Sequence, residues 1–81
     1  MKSEKEVLLR LFLKHKLSQR QQDVAYLAIK GLTVNEMASE LFIQDKTVKF
    51  HLTSIFLKMH VGSRIKLMHK CYRAIIDQMR F

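Results

Sequence analysis

The sequence predicts a small all-α protein, and its helix-capping signals carry that prediction. Three S/T-x-x-E/Q segments begin at Ser3, Ser18 and Thr33. This is the spacing of a capping box, in which the first hydroxyl accepts from a backbone N–H and the third side chain reaches back. The chain has no proline, and its two glycines, Gly31 and Gly62, lie where we expect helices to end. No segment favours a strand.

These signals divide the 81 residues into five predicted helices. We predict a first helix at about 4–15, a second at 19–30, a short third at 34–41, a longer fourth at 46–59 and a final one at 63–78. The gap between the third and fourth, "FIQD", is only a tight turn, so those two helices must cross at a large angle. That is the shape of a helix-turn-helix. We assign residues 1–16 to an N-terminal helix and residues 17–81 to the helix-turn-helix domain.

The charge of the chain favours a polyanionic partner. Fifteen Lys and Arg residues face seven Asp and Glu residues, which leaves a formal net charge of +8. Residues 46–76 carry no acidic side chain, so the C-terminal half has a field of one sign. The basic residues in that stretch are Lys46, Lys49, Lys58, Arg64, Lys66, Lys70 and Arg73. Nucleic acid is the favoured partner, and a membrane surface is the weaker alternative.

Several function classes lose support at this stage. The single cysteine, Cys71, excludes an internal disulfide and fits a reducing cytoplasm. His69 and Cys71 are two positions apart on one helix and so point to different faces, which disfavours a metal site. No arrangement of nucleophile, base and orienting group is evident, so we predict neither enzyme activity nor a cofactor. No apolar run is long enough for a membrane span.

The fourth predicted helix has an unusual outer face. Val48, Leu52, Ile55 and Met59 recur at steps of four, three and four, so one stripe should face the core. Placing residues at 100° intervals puts Phe50 on the opposite side, together with Lys46, Thr53 and Leu57. Core packing does not explain apolar residues at Phe50 and Leu57.

Residues 17–64, "LSQRQQDVAYLAIKGLTVNEMASELFIQDKTVKFHLTSIFLKMHVGSR", resemble the LuxR/GerE-type helix-turn-helix, which is also the output domain of FixJ- and NarL-like response regulators. The marks of the family include Leu17-Ser18-x-Arg20, Gly31-Leu32-Thr33 and Thr47-Val48-Lys49-x-His51. Two departures stand out. Gln44 replaces a common capping Ser, and Gln21 replaces the usual Glu of an intradomain ion pair.

The resemblance implies a DNA-binding domain. In this chain the helix that would enter the major groove is the fourth one, at about 45–59. The family's base-reading positions correspond to Lys49, Phe50 and Thr53. Lysine can donate to guanine O6 and N7, phenylalanine can contact a thymine methyl, and threonine can bond to either base. Phosphate contacts are expected from four further residues: Lys46, Thr47, Lys58 and Arg64.

The final predicted helix is apolar over an arc of roughly 200°, wider than the ~100° that one core contact uses. Looser packing in a small domain is one explanation. The resemblance implies the other, a homodimer through this helix. The expected dimer residues are Leu67, Cys71, Ala74, Ile75 and Gln78.

The N-terminal helix raises the same question, because "VLLRLFL" at 7–13 is apolar on nearly every side. Three roles stay open for it: capping the domain, extending the dimer or binding another protein. Larger relatives carry a receiver or ligand-binding domain ahead of this module. Sixteen residues are too few to form one, so we expect a standalone domain.

The expected function is that of a cytoplasmic bacterial or phage-borne transcription regulator that dimerises and reads double-stranded DNA by sequence. Besides DNA, we consider RNA polymerase or another transcription regulator as a protein partner. The competing hypothesis is an interaction protein that sequesters another regulator through its apolar terminal helices. A weaker third hypothesis is a nonspecific nucleoid binder.

Overall fold

Five helices form the protein, as the capping signals predict. The computed structural model describes residues 3–79. Within that range every regular element is a helix, and no strand occurs. The helices are α1 (Glu4–Lys14), α2 (Gln19–Ile29), α3 (Val34–Leu41), α4 (Asp45–Met59) and α5 (Arg64–Met79).

Side chains cap four of the five helix N-termini. All three predicted capping boxes are present, at Ser3, Ser18 and Thr33. Ser63 caps α5, since its Oγ accepts from the N–H of Lys66 at 3.2 Å. Helix α4 differs: Gln44 occupies its N-cap position and makes no capping hydrogen bond with its side chain. Gln44, which replaces the family's common capping Ser, thus supplies no side-chain cap.

The helix ends agree only in part with the positions of the glycines. Gly31 follows α2 with φ 94°, in the left-handed region where a Cβ is disfavoured, as predicted. Gly62 does not end α4. His60 closes that helix with φ 58°, and the N–H of Val61 donates to the carbonyl of Phe56 at 3.0 Å. The helix ends at Met59 as predicted, but His60 and not Gly62 takes the left-handed position that closes it.

Helices α3 and α4 form the helix-turn-helix. They are joined by residues 42–44, where Phe42 adopts φ 58° and leaves its ring exposed. Helix α4 packs against both α2 and α3, while α5 packs against α1 and α2. Met37 of α3 and Ile55 of α4 are fully buried in the core between them.

Helix α1 shares this core with the other four helices. Leu8 and Phe12 are buried and belong to the same cluster as Met59 and Leu67. Helix α1 packs chiefly along α5. The N-terminal segment is therefore part of the domain's core, and only one side of it, including Leu13, faces solvent.

The two glycines form a matched pair for a stability measurement. We expect Gly31→Ala to lower the free energy of unfolding by about 1 kcal/mol, because the left-handed conformation places Cβ against a carbonyl oxygen. Gly62→Ala should leave stability unchanged or raise it by up to about 1 kcal/mol, because its φ is not left-handed and no atom lies within 4 Å of the added Cβ. Urea unfolding of both variants measures the difference. Equal losses of stability in the two variants would contradict the conclusion that Gly31, and not Gly62, requires the left-handed conformation.

Candidate nucleic-acid interface

Helix α4 has one buried face and one face open to solvent. Val48, Leu52, Ile55 and Met59 are buried, which confirms the predicted stripe. On the opposite side Phe50 is 71% exposed and Leu57 is 73% exposed. The packing of α4 against α2 and α3 thus determines which of its residues face outward.

The three predicted base-reading residues are all exposed on this outer face. Lys49 and Phe50 are adjacent, and Thr53 follows one turn later. The Thr53 hydroxyl donates to the carbonyl of Lys49 at 3.1 Å, which leaves its oxygen free to accept. The Phe50 ring is tilted at 60° to the ring of His51, with centroids 6.3 Å apart. Phe50 therefore presents most of its apolar surface to solvent.

The residues at the start of α4 carry positive charge beside an open helix end. Lys46 is exposed and Thr47 is half-buried. The N–H groups of Thr47 and Val48 bond to the Gln44 carbonyl at 3.0 and 3.1 Å, while the earlier N–H groups receive no side-chain cap. A helix N-terminus attracts anions through these groups and through its dipole. Asp45 in the first turn partly offsets that attraction.

Lys58, for which we predict a phosphate contact, makes two hydrogen bonds inside the molecule. Its Nζ donates to the carbonyl of Lys16 at 3.1 Å and to Oε1 of Gln21 at 2.8 Å. Nε2 of Gln21 in turn donates to Oγ of Ser54 at 2.9 Å. Lys58 thus ties α4 to the start of α2. Gln21, which replaces the usual Glu of the family, makes this link with a neutral side chain.

Arg64 is also engaged inside the molecule. Its Nε and Nη2 donate to the carbonyl of Ala28 at 3.2 and 2.9 Å, and Nη2 donates to the carbonyl of Leu32 as well. These carbonyls lie at the C-terminal end of α2 and in the loop after it, and the Ala28 carbonyl also accepts from the N–H of Gly31 at 3.1 Å. Arg64 therefore closes α2 in this conformation.

Two further basic residues hold the C-terminal end of α4. Lys70 Nζ donates to the Met59 carbonyl at 2.6 Å, and His15 Nδ1 lies 3.2 Å from the Lys58 carbonyl. A carbonyl only accepts, so Nδ1 of His15 carries the proton. Burial, and next the charge of Lys70, lower the pKa of His15, which keeps the ring neutral near pH 7. Sequence reasoning missed both contacts because the partners are distant in the chain.

His51 is half-buried at the inner edge of α4. Its Nδ1 is buried and has no hydrogen-bond partner among residues 3–79. His51 therefore lies at the edge of the core and not on the outer face of α4.

The predicted dimer residues fall into two groups. Leu67, Cys71 and Ile75 are buried in the protein's own core, so the helix uses them for internal packing. Ala74 is half-buried and Gln78 is exposed. The exposed apolar side chains of α5 lie beside the predicted set and are Ile65, Tyr72, Ile76 and Met79. A dimer contact through α5 would use these exposed apolar side chains.

Cys71 is an interior residue without nucleophilic character. Burial raises the pKa of its thiol to about 12, so the thiol stays protonated at neutral pH. Across the part of the chain that the structure describes, no group of three or more His, Cys, Asp or Glu residues is placed to hold a metal ion. No helix in that part is long and apolar enough to cross a membrane.

Sequence comparison identifies the family of this helical domain. A family model described as "Bacterial regulatory proteins, luxR family" matches residues 15–71. The chain belongs to this family. The match covers α2, α3, α4 and the first half of α5, and it leaves α1 and the last turns of α5 outside.

Relatives of the luxR-family chain include both large and small proteins. The two-component response regulator PprB of Pseudomonas aeruginosa is 46% identical over 52 residues, which are 64% of this chain and 19% of PprB. The spore germination protein GerE of Bacillus subtilis is 40% identical over 48 residues, 59% of this chain and 65% of GerE. The transcriptional regulatory protein LiaR of Bacillus subtilis is 42% identical over 48 residues, 59% of this chain and 23% of LiaR. This luxR-family chain therefore matches only a small part of the larger relatives. No solved structure matches it significantly.

The role of Arg64 can be tested by stability. Arg64→Ala should lower the free energy of unfolding by about 2 kcal/mol, because hydrogen bonds to a charged group contribute roughly 1.5–3 kcal/mol. Lys66→Ala is the matched control, since its side chain is exposed and its loss should change stability by less than about 0.5 kcal/mol. Thermal unfolding by circular dichroism measures both. If the free energy of unfolding of Arg64→Ala equals that of the wild type and only DNA binding is weaker, Arg64 acts as a phosphate contact instead.

Proposed function

We propose that this chain is the DNA-binding part of a bacterial transcription regulator, which reads double-stranded DNA by placing α4 in the major groove. The observation that carries the proposal is the outer face of α4. Phe50 is 71% exposed there, between the exposed side chains of Lys49 and Thr53. Membership of the luxR family supports the same conclusion.

The dimensions of α4 suit a groove-reading helix. It has 15 residues and is therefore roughly 22 Å long. The major groove is about 12 Å wide and admits one α-helix. Lys49 would donate to guanine O6 or N7, Phe50 would contact a thymine methyl, and Thr53 would accept from a base amino group with its free oxygen. Together they offer a charged, an apolar and a polar contact along one face.

Phosphate binding in this proposal depends on the start of α4. Lys46 and Thr47 lie beside N–H groups that no side chain caps, and these groups can donate to phosphate oxygens. Lys58 and Arg64 contribute less, because most of the side-chain N–H donors of each are already bonded to acceptors inside the molecule. Exposed lysines such as Lys66 add to the attraction at longer range.

A dimer through α5 completes the proposal. The exposed apolar side chains Ile65, Tyr72, Ile76 and Met79 are its contact surface, in place of the buried Leu67, Cys71 and Ile75. A two-fold dimer of this fold class reads two half-sites about one helical turn, or about 34–36 Å, apart. We therefore expect a pseudo-palindromic DNA site. We also expect the protein to lie in the bacterial cytoplasm, together with the DNA that it binds.

Lys46→Ala tests the phosphate contact. Each neutralised phosphate contributes about −0.9 to the slope of log K against log salt concentration. Loss of the phosphate contact of Lys46 should weaken binding to all DNA sequences alike. It should also make the slope of log K against log salt concentration less steep by about 1 for each protein copy bound. Lys30→Ala is the control, because Lys30 has the same charge and lies near Glu4 of α1, away from α4. Fluorescence anisotropy titrations over a range of salt concentrations measure both slopes. An unchanged slope for Lys46→Ala would remove Lys46 from the interface.

Lys49→Ala and Phe50→Ala test base reading. A direct base contact discriminates by roughly 1–3 kcal/mol, so each variant should lose preference at specific positions of the preferred site while retaining nonspecific affinity. Leu57→Ala is the matched control, with an exposed fraction of 73% against 71% for Phe50. Selection from a random duplex pool gives the preferred sequence of each protein. An equal loss on every sequence after Phe50→Ala would contradict a reading role for Phe50.

The same selection separates the competing functions. Enrichment of one sequence supports the proposal. Salt-sensitive binding without enrichment would indicate a nonspecific nucleoid binder instead. No DNA binding, together with tight association to another regulator, would establish the sequestering protein.

A further inference from the structure

We infer that Gln21 determines how much positive charge the C-terminal end of α4 presents to DNA. Its neutral amide holds the ammonium group of Lys58 in place without cancelling the charge, so Lys58 attracts the phosphate backbone at one edge of the major groove. The inference rests on the proposed function and deepens it. Gln21 acts through Lys58 and is therefore a positioning residue.

Gln21 lies at the centre of the hydrogen bonds that link α2 to α4. Its Oε1 accepts from the N–H of Ser18 at 3.0 Å and from Nζ of Lys58 at 2.8 Å. Its Nε2 donates to Oγ of Ser54 at 2.9 Å. One side chain thus closes the capping box of α2 and holds two residues that lie one turn apart on α4.

The ammonium group of Lys58 is held by neutral acceptors alone. A lysine ammonium has three N–H donors. Two of them are bonded, to the carbonyl of Lys16 and to Oε1 of Gln21. Within residues 3–79 the ion pairs closer than 4.0 Å join other residues, so no carboxylate pairs with Lys58 there. Its charge is uncompensated, and one N–H remains for a phosphate oxygen.

A carboxylate would fit in the place of the Gln21 amide. A glutamate has the same shape and would keep both bonds that Oε1 accepts, while the Ser54 hydroxyl can donate where it now accepts. Such a glutamate would form an ion pair with Lys58 and would add negative charge to the first turn of α2, where the helix dipole favours it. The amide keeps the link between the helices but forgoes this stabilisation, a balance typical of functional sites.

The position of Lys58 suits the phosphate backbone and not the bases. Lys58 follows Phe50 by eight positions, which places it about 80° around the axis of α4 and about 12 Å along it. When Phe50 faces the floor of a groove about 12 Å wide, Lys58 lies toward one of its edges, where the phosphates are. A free ammonium there displaces counterions from DNA, whereas one neutralised by a carboxylate does not.

Gln21→Glu should have opposite effects on stability and on DNA binding. The melting temperature should rise by about 3 °C, because the substitution adds an ion pair and a favourable charge at the start of α2. DNA affinity at about 0.1 M salt should fall about fivefold for each copy bound, with a salt slope less steep by up to about 1. The selected duplex and an unrelated duplex should lose affinity equally, because a phosphate contact carries no sequence information. Circular dichroism and fluorescence anisotropy titrations measure these effects.

Two further variants separate the charge of Lys58 from the net charge of the chain. Gln19→Glu is the matched control: it makes the same charge change in the same turn of α2, but Gln19 points about 200° away from Gln21 and bonds to Asp23 at 3.1 Å. Because salt screens charges outside the interface, its DNA affinity should change by less than about twofold. Lys58→Gln removes the charge itself and should weaken DNA binding as much as Gln21→Glu does. Adding Gln21→Glu to Lys58→Gln should then cause no further loss beyond that of Gln19→Glu.

Three outcomes overturn the inference. The first is a Gln21→Glu variant that binds DNA as tightly as the wild type or as Gln19→Glu, and the second is a Lys58→Gln variant with unchanged affinity. Both leave the DNA-binding proposal standing. If Gln21→Glu proves less stable than the wild type, Lys58→Gln and its salt slope decide the matter. The third outcome is a wild-type chain that binds no DNA, which overturns the DNA-binding proposal as well.

Discussion

The burial of one stripe of α4 is the constraint on which the other features depend. Val48, Leu52, Ile55 and Met59 sit against α2 and α3, and this packing holds the helix at one rotation about its axis. A helix so held cannot bury Phe50, because residues two positions apart point about 200° apart around the axis. The exposed phenylalanine is therefore a consequence of core packing, and the base-reading role proposed for it rests on its position next to Lys49.

The basic residues divide into those that hold the fold and those that remain available. Lys58, Arg64 and Lys70 all donate to backbone carbonyls at or after helix ends. Cations are stabilising at these ends, where carbonyls lack helical partners. Three of the seven basic residues between positions 46 and 76 are therefore engaged internally. These bonds leave the net charge of +8 unchanged, but they reduce the number of side-chain donors that are free for direct phosphate contacts.

Most of the local structure could be predicted, and most of the contacts between distant residues could not. The boxes at Ser3, Ser18 and Thr33 are confirmed because their hydrogen bonds span only three residues. The end of α4 at Met59 was predicted, but the closing residue was not, because the non-glycine residue His60 takes the left-handed position that we assigned to Gly62. The hydrogen bond from Lys58 to Gln21 spans 37 residues, and no periodicity indicates it. The predicted dimer residues Leu67, Cys71 and Ile75 show the same limit, since an apolar residue on a helix has several surfaces on which to pack.

The sequence by itself determined the helices, the face of α4 that turns inward and the residues left on its outer face. These follow from caps and from the 3.6-residue period, which act within a few residues. Only the tertiary structure decided that α1 belongs to the core, that Lys58 and Arg64 bond internally, and which side of α5 stays exposed. Those outcomes depend on which helices meet in space, because a side chain's final partner is set by packing between elements and not by its neighbours in the chain.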